Sequence, residues 1–228
     1  MHALKTCLRA ALVTGVVASA GVCTASLTAH ADAAHADAAH AVEPAGNGGT
    51  AVDPLAQAAA TLPKVGPADV IKLASSQVGI SENAYGGGTK FQQWYMSTPR
   101  ARQTLARDGG KLSAYLNAPW CDMFVSWVGQ KLGITPVMGW DSYTVEHARW
   151  FSQHGRWGNV PKPGAVVFFA WNGSKSIDDI DHVGFVIKDN GDGTIKTVEG
   201  NTGNGAVEVR TRPTDSVAGY GYPYYPAS

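Results

Sequence analysis

Asn117-Ala-Pro-Trp-Cys-Asp-Met-Phe-Val-Ser-Trp-Val-Gly-Gln-Lys-Leu-Gly133 is the stretch whose reading decides the fold. Cys121, Phe124, Val125, Val128 and Leu132 recur at spacings of three, four, seven and eleven, the pattern of one helix face, so the stretch predicts a core helix with a buried apolar stripe. Asn117 suits an N-cap, Pro119 the first turn, where an N–H has no intrahelical partner in any case, and Gly133 the stop. Cys121 then stands at the N-terminal end, where unpaired N–H groups and the positive end of the helix dipole favour a thiolate over a thiol. A cysteine on an apolar stripe is more often inert filling. The helix alone does not separate the two readings; the residues around it have to.

Towards the C-terminus the pattern turns to strands. Gly164-Ala-Val-Val-Phe-Phe-Ala-Trp171 is an unbroken apolar run between Pro163 and Asn172-Gly173, which predicts a central strand buried on both faces. His182-Val-Gly-Phe-Val-Ile-Lys188 is the next strand, and Asp189-Asn-Gly-Asp-Gly193 turns it into Thr194–Glu199. A tight connection over Asn201–Gly205 leads into Ala206–Arg212, which alternates cleanly, and Tyr220–Tyr225 reads as a last strand interrupted at Pro223. Towards the N-terminus, Ala68–Gly79 and Phe91–Tyr95 read as short helices and Thr98–Ala118 as helix plus loop on the outside. Asp141–Gly158 predicts a further helix. Helices followed by an antiparallel meander make an α+β fold, with N-terminal helices packed on one face of the sheet.

Three other patterns are set aside. Tyr85-Gly-Gly-Gly-Thr-Lys90 lacks the spacing of a phosphate-binding loop and follows no strand. The acidic turn at Asp189–Gly193 lacks the twelve-residue spacing and closing Glu of a calcium-binding EF-hand. His147 and His154 lie seven apart on a predicted helix, but no third ligand at a known spacing joins them, which favours a surface or capping role over a metal pair.

The 228 residues suffice for one substantial domain plus accessory segments. Eighteen basic and eighteen acidic side chains give zero net charge, and with it no electrostatic case for a nucleic-acid or membrane partner. Lys5 and Arg9 precede an apolar run, Ala10–Val22, too short to span a bilayer, and Ala29-His-Ala31 offers a small-residue cleavage site. Residues 1–31 therefore read as a secretory signal peptide, with repeated Ala-His-Ala sites that place the cut as late as 41. A lipoprotein anchor at Cys23 is disfavoured by the bulky Val22 before it. Residues 32–67, rich in Ala, Gly and Pro, read as a flexible linker with room for one helical turn at Leu55–Leu62, and 68–228 as the folded catalytic domain. Cys7 and Cys23 leave with the signal, so the mature chain is expected to keep Cys121 as its one cysteine, a reactive group or an intermolecular bridge.

A thiol nucleophile needs a base within hydrogen-bond reach, and the base needs a partner that fixes its tautomer. Of the seven histidines, four precede residue 41, leaving His147, His154 and His182. His182 opens a predicted core strand and is the best base, against the plainer reading of a histidine that caps the strand end. Asp181 is its neighbour, but adjacent strand residues point to opposite faces. Pairing about a turn near Gly191 brings 182 opposite 199 or 200, which favours Glu199 as the partner, with Asn201 at the same parity.

Trp120-Cys121 heading a helix that continues Phe-Val-Ser-Trp, then Pro-Gly-Ala-Val-Val-Phe-Phe (163–169), Asp-His-Val-Gly-Phe-Val (181–186) and Val-Glu-Gly-Asn-Thr (198–202), in that order, resemble the CHAP domain, the cysteine, histidine-dependent amidohydrolase/peptidase. The resemblance runs from about Ala68 to Tyr225. It implies a papain-like α+β fold and a secreted peptidoglycan hydrolase cutting amide bonds of the wall peptide, as N-acetylmuramoyl-L-alanine amidase or endopeptidase. By the same resemblance Cys121 is the nucleophile, His182 the base, Glu199 the residue orienting it and Asn201 an accessory polar group. Trp120, beside the nucleophile, is the substrate contact to test. The partner implied is peptidoglycan, with no nucleic acid, no membrane after signal cleavage, no metal or cofactor, and a monomeric state. Thr98–Ala118 is longer than a minimal member needs, and no second wall-binding domain is apparent. Two alternatives stay open: a wall-associated binding module without turnover, and a secreted transamidase or deamidase acting on proteins.

Overall fold

A computed structural model describes residues 53–225. The signal-peptide reading of 1–31, its cleavage sites and the linker up to residue 52 lie outside the described residues. The folded part starts earlier than Ala68. Asp53 caps helix α1 (Pro54–Ala60) by accepting from the Leu55 N–H, with Pro54 at the first helical position. Leu55, Ala59 and, further on, Val65 are buried. The composition that reads as a linker thus hides a short amphipathic helix, which packs against α6 (Thr135–Met138).

Helix α2 (Pro67–Ser75) follows, then α3 (Lys90–Ser97), whose start is fixed by a capping box between Thr89 and Gln92. Helix α4 (Pro99–Asp108) is capped by Thr98 and leads through a 3₁₀ turn at Leu112–Leu116 to α5 (Cys121–Lys131). The structure corrects the expected start of α5. Asn117 closes the 3₁₀ turn instead of capping the helix, Pro119 lies ahead of it, and Trp120 is the N-cap without a side-chain hydrogen bond. Gly133, at φ 72°, ends the helix as read, in a left-handed conformation that costs glycine nothing.

Every residue of α5 from Cys121 to Gly129 is buried, not one stripe alone. One side packs on the sheet and the other on α2, α3 and α6. Phe91 of α3 stacks on Trp120 at 5.3 Å and meets Phe124 and Trp127 edge-on. Such an arrangement makes α5 the centre of a layered core.

The last helix, α7 (Thr144–Gln153), precedes the sheet. Six strands pair antiparallel: β1 (Trp157–Gly158), β2 (Val166–Phe169), β3 (His182–Asp189), β4 (Thr194–Thr202), β5 (Ala206–Pro213) and β6 (Val217–Gly221), in the order β1-β6-β2-β3-β4-β5. The fold is α+β as the sequence indicates, with two differences. The last strand is 217–221 instead of 220–225, and it inserts between β1 and β2, so the sheet is a meander only from β2 to β5. Val166, Phe168, Val183, Phe185 and Val198 face the helices. Val167, Phe169, Val186, Ile195, Val217 and Tyr220 form a second apolar cluster on the other face, which is why the run at 164–171 carries no polar alternation.

Candidate active site

His182 is the first residue of β3 and pairs with Phe169 of β2, so its ring rises from the sheet face that carries Phe169. The ring lies roughly parallel to Phe169 and to Trp171, with centroids at 6.0 and 5.6 Å. Its Nε2 is 2.9 Å from Oε2 of Glu199. The register explains how they meet. Val186 pairs with Thr197 and Phe185 with Val198, so the next step sets Gly184 opposite Glu199 and places His182 two residues on, a diagonal neighbour on the same face. A bulge between Val186 and Lys188 shifts the pairing away from the simple hairpin count, and the contact is diagonal where direct opposition was expected. Gly184 makes room for it: a Cβ there would lie 2.6 Å from Cγ of Glu199.

The Glu199 carboxylate is fully buried and has three further donors. Thr197 Oγ1 donates to Oε1 at 2.6 Å, Arg212 Nε to Oε1 at 3.0 Å, and Arg212 Nη2 to Oε2 at 2.6 Å. Burial alone would raise this carboxyl. The hydrogen bonds from His182 and Arg212, with the guanidinium charge, overcome that and hold it down at about 2. An ionised acceptor at Nε2 fixes the proton on that nitrogen and leaves the lone pair on Nδ1, the tautomer a general base requires. Arg212 reaches Glu199 from β5, lies over Trp171 at 5.0 Å and also donates to Thr202 Oγ1. The sequence reading did not single it out. The available signal was its place on the strand next to Glu199, at the parity of Glu208, which pairs with that residue.

Asn201 follows in a bulge of β4 between Glu199 and Thr202, with φ 54°, a left-handed conformation that asparagine tolerates better than most residues. It is buried and would stand opposite His182 if the pairing of Val186 with Thr197 and Phe185 with Val198 continued. Asp181 does not join this cluster. Its Oδ2 accepts from the Trp171 N–H and its own N–H donates to the Phe169 carbonyl, which fixes the chain leaving β2.

Cys121 is buried at the first position of α5. The N-cap residue, Trp120, makes no side-chain hydrogen bond to that first turn, whose N–H groups point out of the helix start. The start of α5 abuts the Glu199–Asn201 bulge: a Cβ on Gly200 would lie 2.6 Å from Cβ of Phe124 and 2.9 Å from the Trp120 ring. Cys121, the first residue of β3 and the end of β4 therefore share one end of the domain. In the full-length chain the sulfur of Cys121 is disulfide-bonded. The other two cysteines of the sequence, Cys7 and Cys23, lie outside the described residues. The expectation of a lone thiol was framed for a chain that has lost both, and it does not describe the full-length one.

Two readings are corrected here. Trp120 is fully buried, stacked on Phe91, with its indole N–H donating to Glu82, so it is core and not a substrate contact. His147 is not a surface residue: it is buried, its ring bonds Asp122 of α5, and its Nε2 meets the carbonyl of Met138, the last residue of α6, so the capping half of the reading stands. His154 is exposed and stacked on Trp150. The long segment ahead of α5 has a structural task, since Arg100 and Arg107 of α4 both reach the buried carboxylate of Asp141 at 2.9 Å.

Among known families, the CHAP domain matches residues 113–201. No curated protein and no solved structure matches the chain. The matched segment begins in the 3₁₀ turn ahead of α5 and ends at Asn201, so it contains Cys121, His182 and Glu199 while leaving out Arg212. CHAP domains are typically hydrolases of the cysteine-peptidase type, with peptidoglycan amidase or peptidase activity. With helix α5 laid on β3 and β4 of an antiparallel sheet, the match at residues 113–201 is consistent with a CHAP domain of the papain-like superfamily.

Proposed function

We propose that the chain is a secreted peptidoglycan hydrolase that cuts an amide bond of the wall peptide with Cys121, His182 and Glu199. The observation that carries the reading is the buried Nε2–Glu199 hydrogen bond of 2.9 Å, which turns Nδ1 of His182 into a base at the end of the domain where α5 begins. The chemistry requires the sulfur as a thiolate, so the disulfide has to be reduced or its partner cysteine lost first.

In the proposed cycle Nδ1 takes the proton of the Cys121 thiol and the sulfur attacks the amide carbon. The resulting imidazolium is stabilised by Glu199, and the tetrahedral oxyanion is held by the uncapped N–H groups of the first turn of α5. Imidazolium then protonates the leaving amine, which departs and leaves a thioester. The same imidazole removes a proton from water, water adds to the thioester carbonyl, and the carboxylic acid is released with the thiol restored. Asn201 is a polar neighbour of this step on the bulge beside Glu199.

The test is incubation of the reduced, secreted chain with purified cell wall, followed by mass spectrometry of the soluble products. New amine and carboxyl ends in muropeptide fragments are expected, and their masses identify the bond as sugar-to-peptide or peptide-to-peptide. Cys121→Ala is expected to release none. Release by that variant at the wild-type rate ends the cysteine mechanism, and absence of release by the wild type favours a binding module.

A further inference from the structure

Two buried ionisable side chains take no part in the reaction proposed above; one follows its nucleophile in sequence and the other is bonded to the first. Asp122 follows Cys121 in the first turn of α5, and His147 lies on α7; neither is more than 1% exposed. His147 Nδ1 is 2.7 Å from Oδ1 of Asp122, and its Nε2 is 2.9 Å from the Met138 carbonyl oxygen. A carbonyl only accepts, so Nε2 carries a hydrogen. A contact of 2.7 Å between Nδ1 and a carboxyl oxygen in an apolar site needs a second hydrogen, since two lone pairs would otherwise face each other. Whichever atom holds that second hydrogen, the pair as a whole has zero net charge.

The surroundings make its neutrality matter. The imidazole stacks on Phe151 at 5.3 Å and meets Phe168 edge-on at 5.9 Å. Among the described residues Asp122 Oδ2 is buried without a hydrogen-bond partner, and His147 is the group that answers this carboxyl. The other charges felt at the pair are Asp141 and Arg100, already ion-paired with each other at 2.9 Å, with Arg107 also on Asp141. Glu146 and Arg149, also on α7, pair with each other and turn towards Arg107 and Asp178. A bare carboxylate at residue 122 would thus put an uncompensated negative charge one residue from the sulfur, in a medium where charges are felt strongly.

We propose that Asp122 and His147 form a charge-neutral clasp that ties the nucleophile's turn to α7 and shields the Cys121 thiolate from a like charge next to it. The clasp is a positioning device and rests on the reading of Cys121 as nucleophile. Burial by itself lowers the imidazole's affinity for its proton, but the Asp122 carboxylate and the Met138 carbonyl reverse that and raise it, so the proton is retained.

The test measures the sulfur and not the hydrolysis. The full chain is reduced with a phosphine, iodoacetamide is added across a pH series, and the alkylation rate of Cys121 is read from its own peptide by mass spectrometry. In Asp122→Asn an amide N–H replaces the shared proton and the pair stays neutral, so the midpoint is expected within about 0.3 pH units of wild type. His147→Gln leaves the carboxylate unanswered and is expected to raise the midpoint by about one unit, slowing alkylation about tenfold below it. The double variant is expected to return to the wild-type midpoint, a rescue that loss of packing would not produce. An unmoved midpoint in His147→Gln, or an equal shift in Asp122→Asn, overturns the clasp. Should His147→Gln not fold, Asp122→Asn decides alone, and a displaced midpoint there overturns it. Activity surviving Cys121→Ala would remove the hydrolase reading while leaving these alkylation midpoints as measured.

Discussion

Replacing Arg212 by Met keeps the aliphatic stem over Trp171 and removes the two nitrogens that hold Glu199, at 3.0 and 2.6 Å. The magnitude follows from the depressed carboxyl. Its folded value of about 2 stands against an ordinary 4.5, a difference worth about 3 kcal/mol of stability shared among its donors. A depressed folded value means that this stability is fully present above pH ~4.5 and is lost as the pH falls towards 2. In Arg212→Met the buried carboxylate keeps only His182 and Thr197 as partners, and its pKa rises. At pH 7 the variant is expected to be about 3–5 kcal/mol less stable, the range for removing one partner of a buried ion pair. As the pH falls the variant's carboxyl is neutralised before the wild type's, so the gap should narrow. Urea unfolding of both chains at pH 7 and at pH 3.5 reads this directly. An equal gap at the two pH values would mean that Arg212 acts through packing on Trp171, and the electrostatic account of the Glu199 site would fail.

Further outcomes test the geometry around that carboxyl. Gly184→Ala places a Cβ 2.6 Å from Glu199 Cγ and 2.9 Å from the Val198 carbonyl oxygen; wall hydrolysis is expected to fall at least about a hundredfold with the circular dichroism spectrum unchanged. Asn201→Val forces a β-branched residue into φ 54° and should cost about 1–2 kcal/mol in thermal unfolding, whereas Asn201→Gly should be tolerated by the backbone. Gly200→Ala drives a methyl into Phe124 and Trp120 and should cost about 1–3 kcal/mol by overpacking, measured by urea titration. Deleting residues 53–66 removes Leu55, Ala59 and Val65 from the core and should lower the melting temperature by several degrees; an unchanged melting temperature would restore the linker reading.

Much of this was legible because its signals are local. The spacing of Cys121, Phe124, Val125 and Val128 identifies α5, and strand parity rejects Asp181 in favour of Glu199. What escaped the sequence depends on contacts between distant segments. Trp120 precedes Cys121 and reads as a substrate contact until Phe91, some thirty residues upstream, is found stacked on it. His147 looks like a surface residue because its partner, Asp122, lies on another helix. The diagonal His182–Glu199 contact depends on a bulge that hairpin counting does not foresee. Pro54–Ala60 was legible only as room for one helical turn in a linker, since Ala and Pro serve a capped helix as well as a coil; its burial against the core was not.

The place of β6 in the sheet orders events in time. Val217–Gly221 fills the gap between β1 and β2, so until that segment leaves the ribosome both strands carry a bare edge. Strand β2 is also the scaffold on which His182 is paired, through Phe169. A nascent chain halted before residue 217 would hold its histidine on a half-built scaffold prone to pairing with other chains. Maturation of the site therefore waits on a segment that follows all the other strands in sequence, and long-range closure of this kind makes folding slow.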